Sequence, residues 1–150
     1  MPPYAPCQGP ASPDGKVRLL LRTTGFKNAE KVAKVWVHTS SSTWFDNDNA
    51  WYTGNYNIDP TTNTMVGYVD GVPSGVDVGV FVVHDKNNDG RANTNWIGMP
   101  TEGVTASNGA RGGNPFTHPC GGEPCWSDAK IATNVATTPC VIVDMAMWYP

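Results

Sequence analysis

The residues best suited to chemistry lie in the stretch HDKNNDGRANTNWIGMPTEG, which spans residues 84–103. Asp85, Asn87 and Asp89 stand at alternate positions and Gly90 follows them, so one tight turn can direct three side-chain oxygens at a single point. Hard cations such as calcium bind about six to eight oxygens, and oxygen donors do not suit softer metals. The spacing therefore predicts a calcium site.

The remaining ligands of this predicted site are less regular. The backbone carbonyl of Arg91 and the side chain of Asn93 take the next ligand positions of an EF-hand loop, but Trp96 stands where that motif has its closing glutamate. Asn95 or Glu102 can complete the shell where the chain folds back. The alternative is a turn in which Asn and Asp side chains make local hydrogen bonds without a metal.

The four cysteines suggest two disulfides. Cys120 and Cys125 flank a glycine-rich tetrapeptide that can close a short ring, which leaves Cys7 and Cys140 as the second pair. The sequence alone leaves the connectivity open. A zinc site formed by His118, Cys120 and Cys125 is a weaker alternative, because it lacks a fourth ligand.

Aromatic residues are concentrated in the stretch STWFDNDNAWYTGNYN. Flat rings among amide and carboxylate groups can stack on sugars and bond their hydroxyls, which makes this stretch a candidate glycan-binding loop. The better-supported interpretation is that the rings cap the fold or fill a subunit contact. The candidate glycan-binding residues are Trp44, Trp51, Tyr52 and Tyr56.

Catalytic motifs are absent from the sequence. It contains no nucleophile elbow, no metalloprotease motif and no phosphate-binding glycine-rich loop. His84 ends an apolar run and would point away from its neighbour Asp85, so we expect it to be packed rather than a ligand. Nothing in the spacing brings His84 or His118 near a serine such as Ser107. We therefore expect no enzymatic activity.

Composition restricts the partners and the location. The chain of 150 residues has a formal net charge of −3 and no run of basic residues, which argues against nucleic acid and anionic membranes as partners. No apolar run approaches the roughly 20 residues of a membrane-spanning helix. An even number of cysteines in a chain poor in charge is typical of secreted or cell-surface proteins, so we expect the mature form of an exported protein without its signal peptide.

Short apolar runs, many of them alternating and rich in valine, indicate the elements that must position these residues. They predict an all-β fold, an antiparallel β-sandwich of about seven strands of the immunoglobulin-like or transthyretin-like kind. A helical alternative at 28–35 merges into a β-branched run and is better interpreted as strand. The predicted strands are residues 16–24, 33–39, 64–69, 76–84, 129–133 and 140–149.

Two predicted connections, 40–63 and 85–127, are unusually long for a single domain. We expect the metal site to organise the second of them. Residues 1–14 are expected to form an N-terminal arm, and 15–150 a single domain.

The run VFVVHDKNNDGRANTNWIGMPTEGVTASNGARG, followed by PCWSDAKIA, resembles a bacterial secreted family, domain of unknown function 2141. The family pattern is an apolar strand ending in His-Asp, then Asn-Asn/Asp-Gly, Gly-x-Pro-x-Glu-Gly and Ser-Asn-Asn/Gly-Ala. The resemblance implies a small exported β-sandwich without established catalytic activity. Asn93 departs from the pattern, because an acidic residue is common there and its loss lowers the charge of a cation site. The shared polar positions are His84, Asp85, Asn87, Asp89, Gly90, Asn93, Asn95, Gly98, Pro100, Glu102, Gly103, Ser107, Asn108 and Asp128.

These observations lead to one expectation and one alternative. We expect a non-catalytic, calcium-stabilised β-sandwich that self-associates as a homo-oligomer or filament, a structural subunit of a cell-surface or extracellular assembly. A fibre would form by strand or arm exchange between copies. The alternative is a carbohydrate-binding module that uses the aromatic residues of 44–56.

Overall fold

The computed structural model describes residues 15–44, 47–85, 103–110, 120, 124–134 and 139–149. These residues form eight β-strands and one single-turn α-helix, so the all-β prediction is confirmed. In chain order the elements are β1 (Val17–Thr24), β2 (Val32–His38), β3 (Tyr52–Asn57), β4 (Met65–Val72), β5 (Asp77–Asp85), β6 (Val104–Ala106), α1 (Trp126–Ala129), β7 (Ile131–Ala132) and β8 (Cys140–Ala146).

The strands form two sheets. The first has the order β4-β1-β8, and the second has the order β3-β2-β5-β6, with the two-residue β7 pairing the start of β5. All pairings within the second sheet are antiparallel. The sequential neighbours β1 and β2 lie in different sheets, so the chain changes sheets repeatedly.

One pairing corrects the prediction of a purely antiparallel fold. β1 and β8 run parallel, with Arg18 opposite Cys140 and Thr24 opposite Ala146. Hydrophobic alternation is the same in parallel and antiparallel strands, so the sequence pattern could not reveal the direction of a partner so distant in the chain.

The main hydrophobic core contains buried residues of both sheets. Leu19 and Leu21 of β1 and Val143 of β8 are fully buried there, together with Val35 of β2 and Val80 of β5. Because alternate residues of β1, β2, β5 and β8 enter this core, alternation in the sequence was a reliable guide to these strands.

A second cluster covers the opposite face of β2 and β5. It contains Trp36, Phe81 and Val83, and Ala129 of α1 packs against them. These two strands are therefore buried on both faces, which explains why they contain the continuous apolar runs VWV and VGVFVV.

Two strands lie in segments that were predicted to be loops. β3 lies within 40–63 and β6 within 85–127, so both connections are shorter than expected. β3 is the outer strand of its sheet, and its sequence YTGNYN contains no run of apolar residues and no buried residue. β6 has only three residues. The strand predicted at 129–133 is also wrong in part, because α1 precedes the short β7 there.

Among the described residues, no helix has the length and apolar character needed to cross a membrane.

Candidate functional site

The predicted calcium segment begins at the end of β5. Asp85 is the last residue of this strand, and its backbone lies opposite Val32 of β2. The other predicted ligands, Asn87, Asp89, Arg91, Asn93, Asn95 and Glu102, lie outside the described residues. Within the described ranges, no group of acidic, histidine or cysteine side chains is arranged to hold a metal ion. The calcium site therefore stays a prediction.

The base of this segment is well defined. The backbone N–H of His84 donates a hydrogen bond of 2.9 Å to the carbonyl of Gly103. Beyond that bond, Val83 pairs with Val104 and Phe81 with Ala106. β5 and β6 are therefore an antiparallel pair, which we call the hairpin, and the two ends of the segment that connects them lie side by side.

His84 anchors the hairpin base through its side chain, which is fully buried. Its Nε2 lies 2.8 Å from the carbonyl of Glu30, and its Nδ1 lies 2.8 Å from the hydroxyl of Tyr149. A carbonyl can only accept, so Nε2 carries a proton, and in the neutral ring Nδ1 accepts from the Tyr149 hydroxyl. The expectation of a packed histidine is confirmed.

Tyr149 completes this network on the other side. Its hydroxyl accepts a hydrogen bond of 2.8 Å from the backbone N–H of Lys27, and its ring meets the His84 ring edge to face. Burial raises the pKa of Tyr149, and the hydrogen bond from Lys27 partly opposes that rise. A Cβ atom on Gly103 would overlap the Tyr149 ring, so a glycine is needed there.

The segment that contains Tyr149 also clasps β6. Val104 and Trp148 exchange two backbone hydrogen bonds of 2.8 Å, which form an isolated β-bridge. The β5 end of the hairpin is therefore tied to Glu30, which lies just before β2. The β6 end is tied to Trp148, which lies just after β8. We name His84, Gly103, Tyr149 and the backbone of Lys27 and Glu30 the hairpin anchor.

Sequence reasoning found His84 and Gly103 but missed the rest of the hairpin anchor. Tyr149 was assigned only to a terminal strand, although an aromatic residue with a hydroxyl just after β8 was a weak signal of a buried polar partner. Lys27 and Glu30 contribute backbone groups, and side-chain patterns carry no information about those.

Trp44 contacts the segment that contains α1, and a disulfide closes a short ring just before that helix. Cys120 and Cys125 form the expected disulfide. The indole N–H of Trp44 donates a hydrogen bond of 2.8 Å to the carbonyl of Pro124, and the Trp44 and Trp126 ring centres are 5.4 Å apart. Cys140 is also disulfide-bonded, whereas Cys7 lies outside the described residues.

The candidate glycan-binding residues do not share one surface. Tyr52 and Tyr56 are partly buried against the main core, with their hydroxyls 2.8 Å apart, whereas Trp44 packs against the second cluster on the opposite face of the sheet. Trp51 is the most exposed of the four residues, with 39% of its surface accessible to solvent. A glycan platform built from all four rings is therefore not formed.

Comparison with known sequences gives one result. The profile of a family described as "Uncharacterized protein conserved in bacteria (DUF2141)" matches residues 21–140. The chain belongs to this family. No curated protein and no solved structure matches the chain. Membership in DUF2141 confirms the resemblance seen in the sequence, and the family description assigns no activity.

Two positions that carry the DUF2141 resemblance, Ser107 and Asn108, have a structural explanation. The buried Ser107 hydroxyl accepts from the backbone N–H of Val80 at 3.0 Å and donates to the carbonyl of Ala129 at 2.6 Å. The Asn108 amide donates to the carbonyl of Lys130 at 2.8 Å. These bonds join the end of β6 to β5 and to the end of α1, so we name them the Ser-Asn clasp.

Asn108 also has an unusual backbone conformation. Its φ of 61° is left-handed, which Asn adopts more readily than most residues, and Gly109 follows with a φ of 64°. The Ser-Asn-Gly sequence therefore supplies both the turn and the side chains of the clasp.

Proposed function

We propose that this DUF2141 protein is an exported, non-catalytic β-sandwich whose segment 85–102 is organised by calcium. In this proposal it is a structural subunit of an extracellular or cell-surface assembly. The ion is bound by the side chains of Asp85, Asn87 and Asp89 and by the carbonyl of Arg91, and the shell is completed by Asn93 with Asn95 or Glu102.

The observation that carries the calcium proposal is the hairpin anchor. It brings both ends of the oxygen-rich segment together through the bond from His84 to Gly103 and holds His84 on its other side through Tyr149 and Glu30. A loop with fixed ends loses less conformational entropy when a ligand orders it, which favours binding. Calcium would then neutralise Asp85 and Asp89 and allow the loop to pack.

Two further observations support the sandwich and the export. Buried side chains of both sheets belong to a single cluster, as face-to-face packing requires. The disulfide between Cys120 and Cys125 is of the kind that persists in oxidising compartments.

The non-catalytic role is supported by the state of the candidate catalytic groups. The Ser107 hydroxyl is engaged as both donor and acceptor with backbone groups, and both ring nitrogens of His84 have structural partners. Neither group is available to activate a nucleophile in this arrangement.

The calcium proposal is tested by thermal unfolding with calcium, with magnesium and with a chelator. A ligand that binds only the folded state stabilises it by about 2.7 kcal/mol at a hundredfold excess over Kd. We expect calcium to raise the unfolding midpoint and Asp89→Asn to reduce that rise, while Asp48→Asn, an exposed charge-matched control, leaves it unchanged. Equal midpoints in calcium and chelator would refute the calcium site.

Assembly is tested by light scattering on the same samples. A structural subunit should form large particles at high protein concentration in calcium. If segment 85–102 lies at the contact between subunits, these particles should disappear when calcium is chelated. Monodisperse monomers under all conditions would refute the assembly while leaving a calcium effect on stability intact.

A carbohydrate-binding role is the second candidate function. Of the four candidate aromatic residues, Trp51 is the one whose ring is exposed enough to stack on a sugar. This exposed ring lies just before β3, whose outward residues Thr53, Asn55 and Asn57 are exposed and polar. A glycan array should then show binding that Trp51→Ala abolishes and Tyr68→Ala, an exposed aromatic control in the other sheet, preserves. Absence of binding by the unmodified protein would dispose of this candidate.

A further inference from the structure

The three-stranded sheet has an outward side that the described residues leave uncovered. Alternate residues of its strands point away from the core and make a grid, which we name the outer face. Its members are Arg18, Leu20 and Arg22 of β1, Val66, Tyr68 and Asp70 of β4, and Cys140, Ile142 and Asp144 of β8.

The middle of the outer face is apolar. Leu20 lies directly opposite Tyr68 on one side and opposite Ile142 on the other. Tyr68 is 47% exposed, and Val66, its neighbour on the same face of β4, is 61% exposed. Among the described residues, one other large hydrophobic side chain, that of Trp51, is exposed. Such a concentration of accessible apolar surface on one face marks a contact site.

The charges of the outer face are already paired with one another. Arg22 holds Asp144 through two hydrogen bonds of 2.6 and 2.7 Å, and Arg18 bonds Asp70 at 2.5 Å. The guanidinium of Arg18 also lies 4.6 Å from the centre of the Tyr68 ring. An occupant of this face therefore needs apolar surface and no charge.

The size of the outer face selects a short segment over a folded partner. With strands about 4.8 Å apart and about 3.3 Å per residue, a face three strands wide and as long as β8 covers on the order of 350 Å². A stable interface between proteins buries roughly 800 Å² on each side. A second copy that used this face alone would be held too weakly, whereas an extended peptide fits it.

Cys140 connects the outer face to a specific segment of this chain. It begins β8 opposite Arg18, and it is disulfide-bonded and buried although it belongs to the outward side of the strand. Because Cys120 is bonded to Cys125, Cys7 is the one cysteine of the chain left to pair with it. We propose that residues 1–6 of the same chain lie along the outer face, tethered by a Cys7–Cys140 disulfide.

The chemistry of residues 1–6 matches that surface. Their sequence, MPPYAP, has no charged side chain and contains Tyr4 and three prolines. Prolines favour an extended polyproline conformation, so little entropy is lost on docking, and they lack the N–H groups needed to extend a sheet. Such a segment lies on a sheet face better than it joins a sheet edge.

Residues 1–6 can also reach along the whole outer face. Six residues in the polyproline conformation span about 19 Å, and the strand from Cys140 to Ala146 spans about 20 Å. At the far end of the outer face is an open groove of 620 Å³ lined in part by Thr24, Val66 and Ala146. The arm can therefore reach from its tether to this groove.

This inference does not depend on calcium or on assembly. It places the arm on its own chain, which leaves the strand edges rather than the arm for contacts between copies. A fibre formed by arm exchange would instead place the arm of one copy on the outer face of the next.

The test is nuclear Overhauser spectroscopy on the intact, oxidised protein. We expect contacts from the Tyr4 ring to the methyl groups of Leu20 and Ile142 in a uniformly labelled sample. An isotope-filtered experiment on a mixture of labelled and unlabelled protein should lack these contacts, because they lie within one chain. No contacts in the first sample, or contacts that persist in the filtered experiment, would overturn the proposal.

A second measurement uses a hydrophobic fluorescent dye. Tyr4→Ala should raise dye binding several-fold, because it weakens docking of the arm and uncovers the outer face, and adding Leu20→Thr should reverse that rise. Trp51→Ala is the control for an aromatic deletion away from the face. Dye binding unchanged by Tyr4→Ala in a protein that keeps its unfolding midpoint would count against the proposal.

Discussion

At the residue scale, the hairpin anchor depends on a glycine, Gly103, because there is no room for a side chain at this position. The Tyr149 ring occupies the space that a Cβ atom of Gly103 would need, and its hydroxyl is held by Lys27 and His84. The ring cannot move aside without breaking both hydrogen bonds. A family position that the sequence marks only as glycine is therefore a packing requirement.

We predict that Gly103→Ala destabilises the protein by about 1–3 kcal/mol, the usual range for an overpacked site. Chemical denaturation measures the loss. In a protein that already carries Tyr149→Ala, Gly103→Ala should cost much less stability, because the ring that its methyl group would overlap is gone. Strictly additive effects in this double-mutant cycle would contradict the packing explanation.

Thr23 is a residue at which a substitution should stabilise the fold. It lies in β1 between Met65 and Met145, is fully buried, and its hydroxyl has no hydrogen-bond partner among the residues that the structure describes. We predict that Thr23→Val raises the free energy of unfolding by about 1 kcal/mol, since an unsatisfied buried hydroxyl is removed at nearly constant shape.

The matched control for that prediction is Thr133→Val. The Thr133 hydroxyl is also buried, but it bonds the backbone of Pro73 and Val76, so the same substitution should destabilise the protein. Equal signs for the two variants in denaturant unfolding would show that the hydrogen-bond assignment is wrong.

At the element scale, the Ser-Asn clasp substitutes for continuous pairing. β6 has three residues and α1 one turn, and neither could be held by its own length. The hydroxyl of Ser107 joins both of them to β5 through buried bonds. This part of the fold therefore depends on a few side chains.

We predict that Ser107→Ala lowers the free energy of unfolding by on the order of 3 kcal/mol, because it leaves a buried N–H and a buried carbonyl without this partner. Ser41→Ala, at an exposed serine in a 3-10 turn, is the control and should change it little. Hydrogen exchange should show the loss concentrated in β6 and α1. A uniform loss across both sheets would argue against a local clasp.

At the scale of the whole molecule, Tyr56 joins the two sheets. It belongs to β3, its hydroxyl donates to the carbonyl of Tyr68 in β4 at 2.9 Å, and it accepts from Tyr52. A Cβ atom on Gly67 would overlap its ring, so the sheets approach closely there. Burial, followed by the hydrogen bond with Tyr52, raises the pKa of Tyr56 well above its ordinary value of 10.0.

That shift predicts how stability depends on pH. Because the folded pKa of Tyr56 is the higher one, its contribution is fully present below pH 10.0 and is lost as the pH rises from there towards the folded pKa. Tyr56→Phe should lower stability by about 1 kcal/mol at neutral pH and should flatten the alkaline fall. Urea unfolding between neutral pH and pH 11 tests this, and an unchanged alkaline slope would contradict it.

The alternation of apolar residues determined the all-β class, the positions of β1, β2, β4, β5 and β8 and the burial of His84, and the short motifs of residues 80–132 determined the family. Those features follow from local periodicity and short motifs, which a single chain displays directly. The pairing of β1 with β8, the strand nature of β3 and the hairpin anchor were decided by tertiary structure. Each depends on backbone groups or on partners far apart in the chain, such as Tyr149 against His84, and local sequence cannot specify which distant groups will meet.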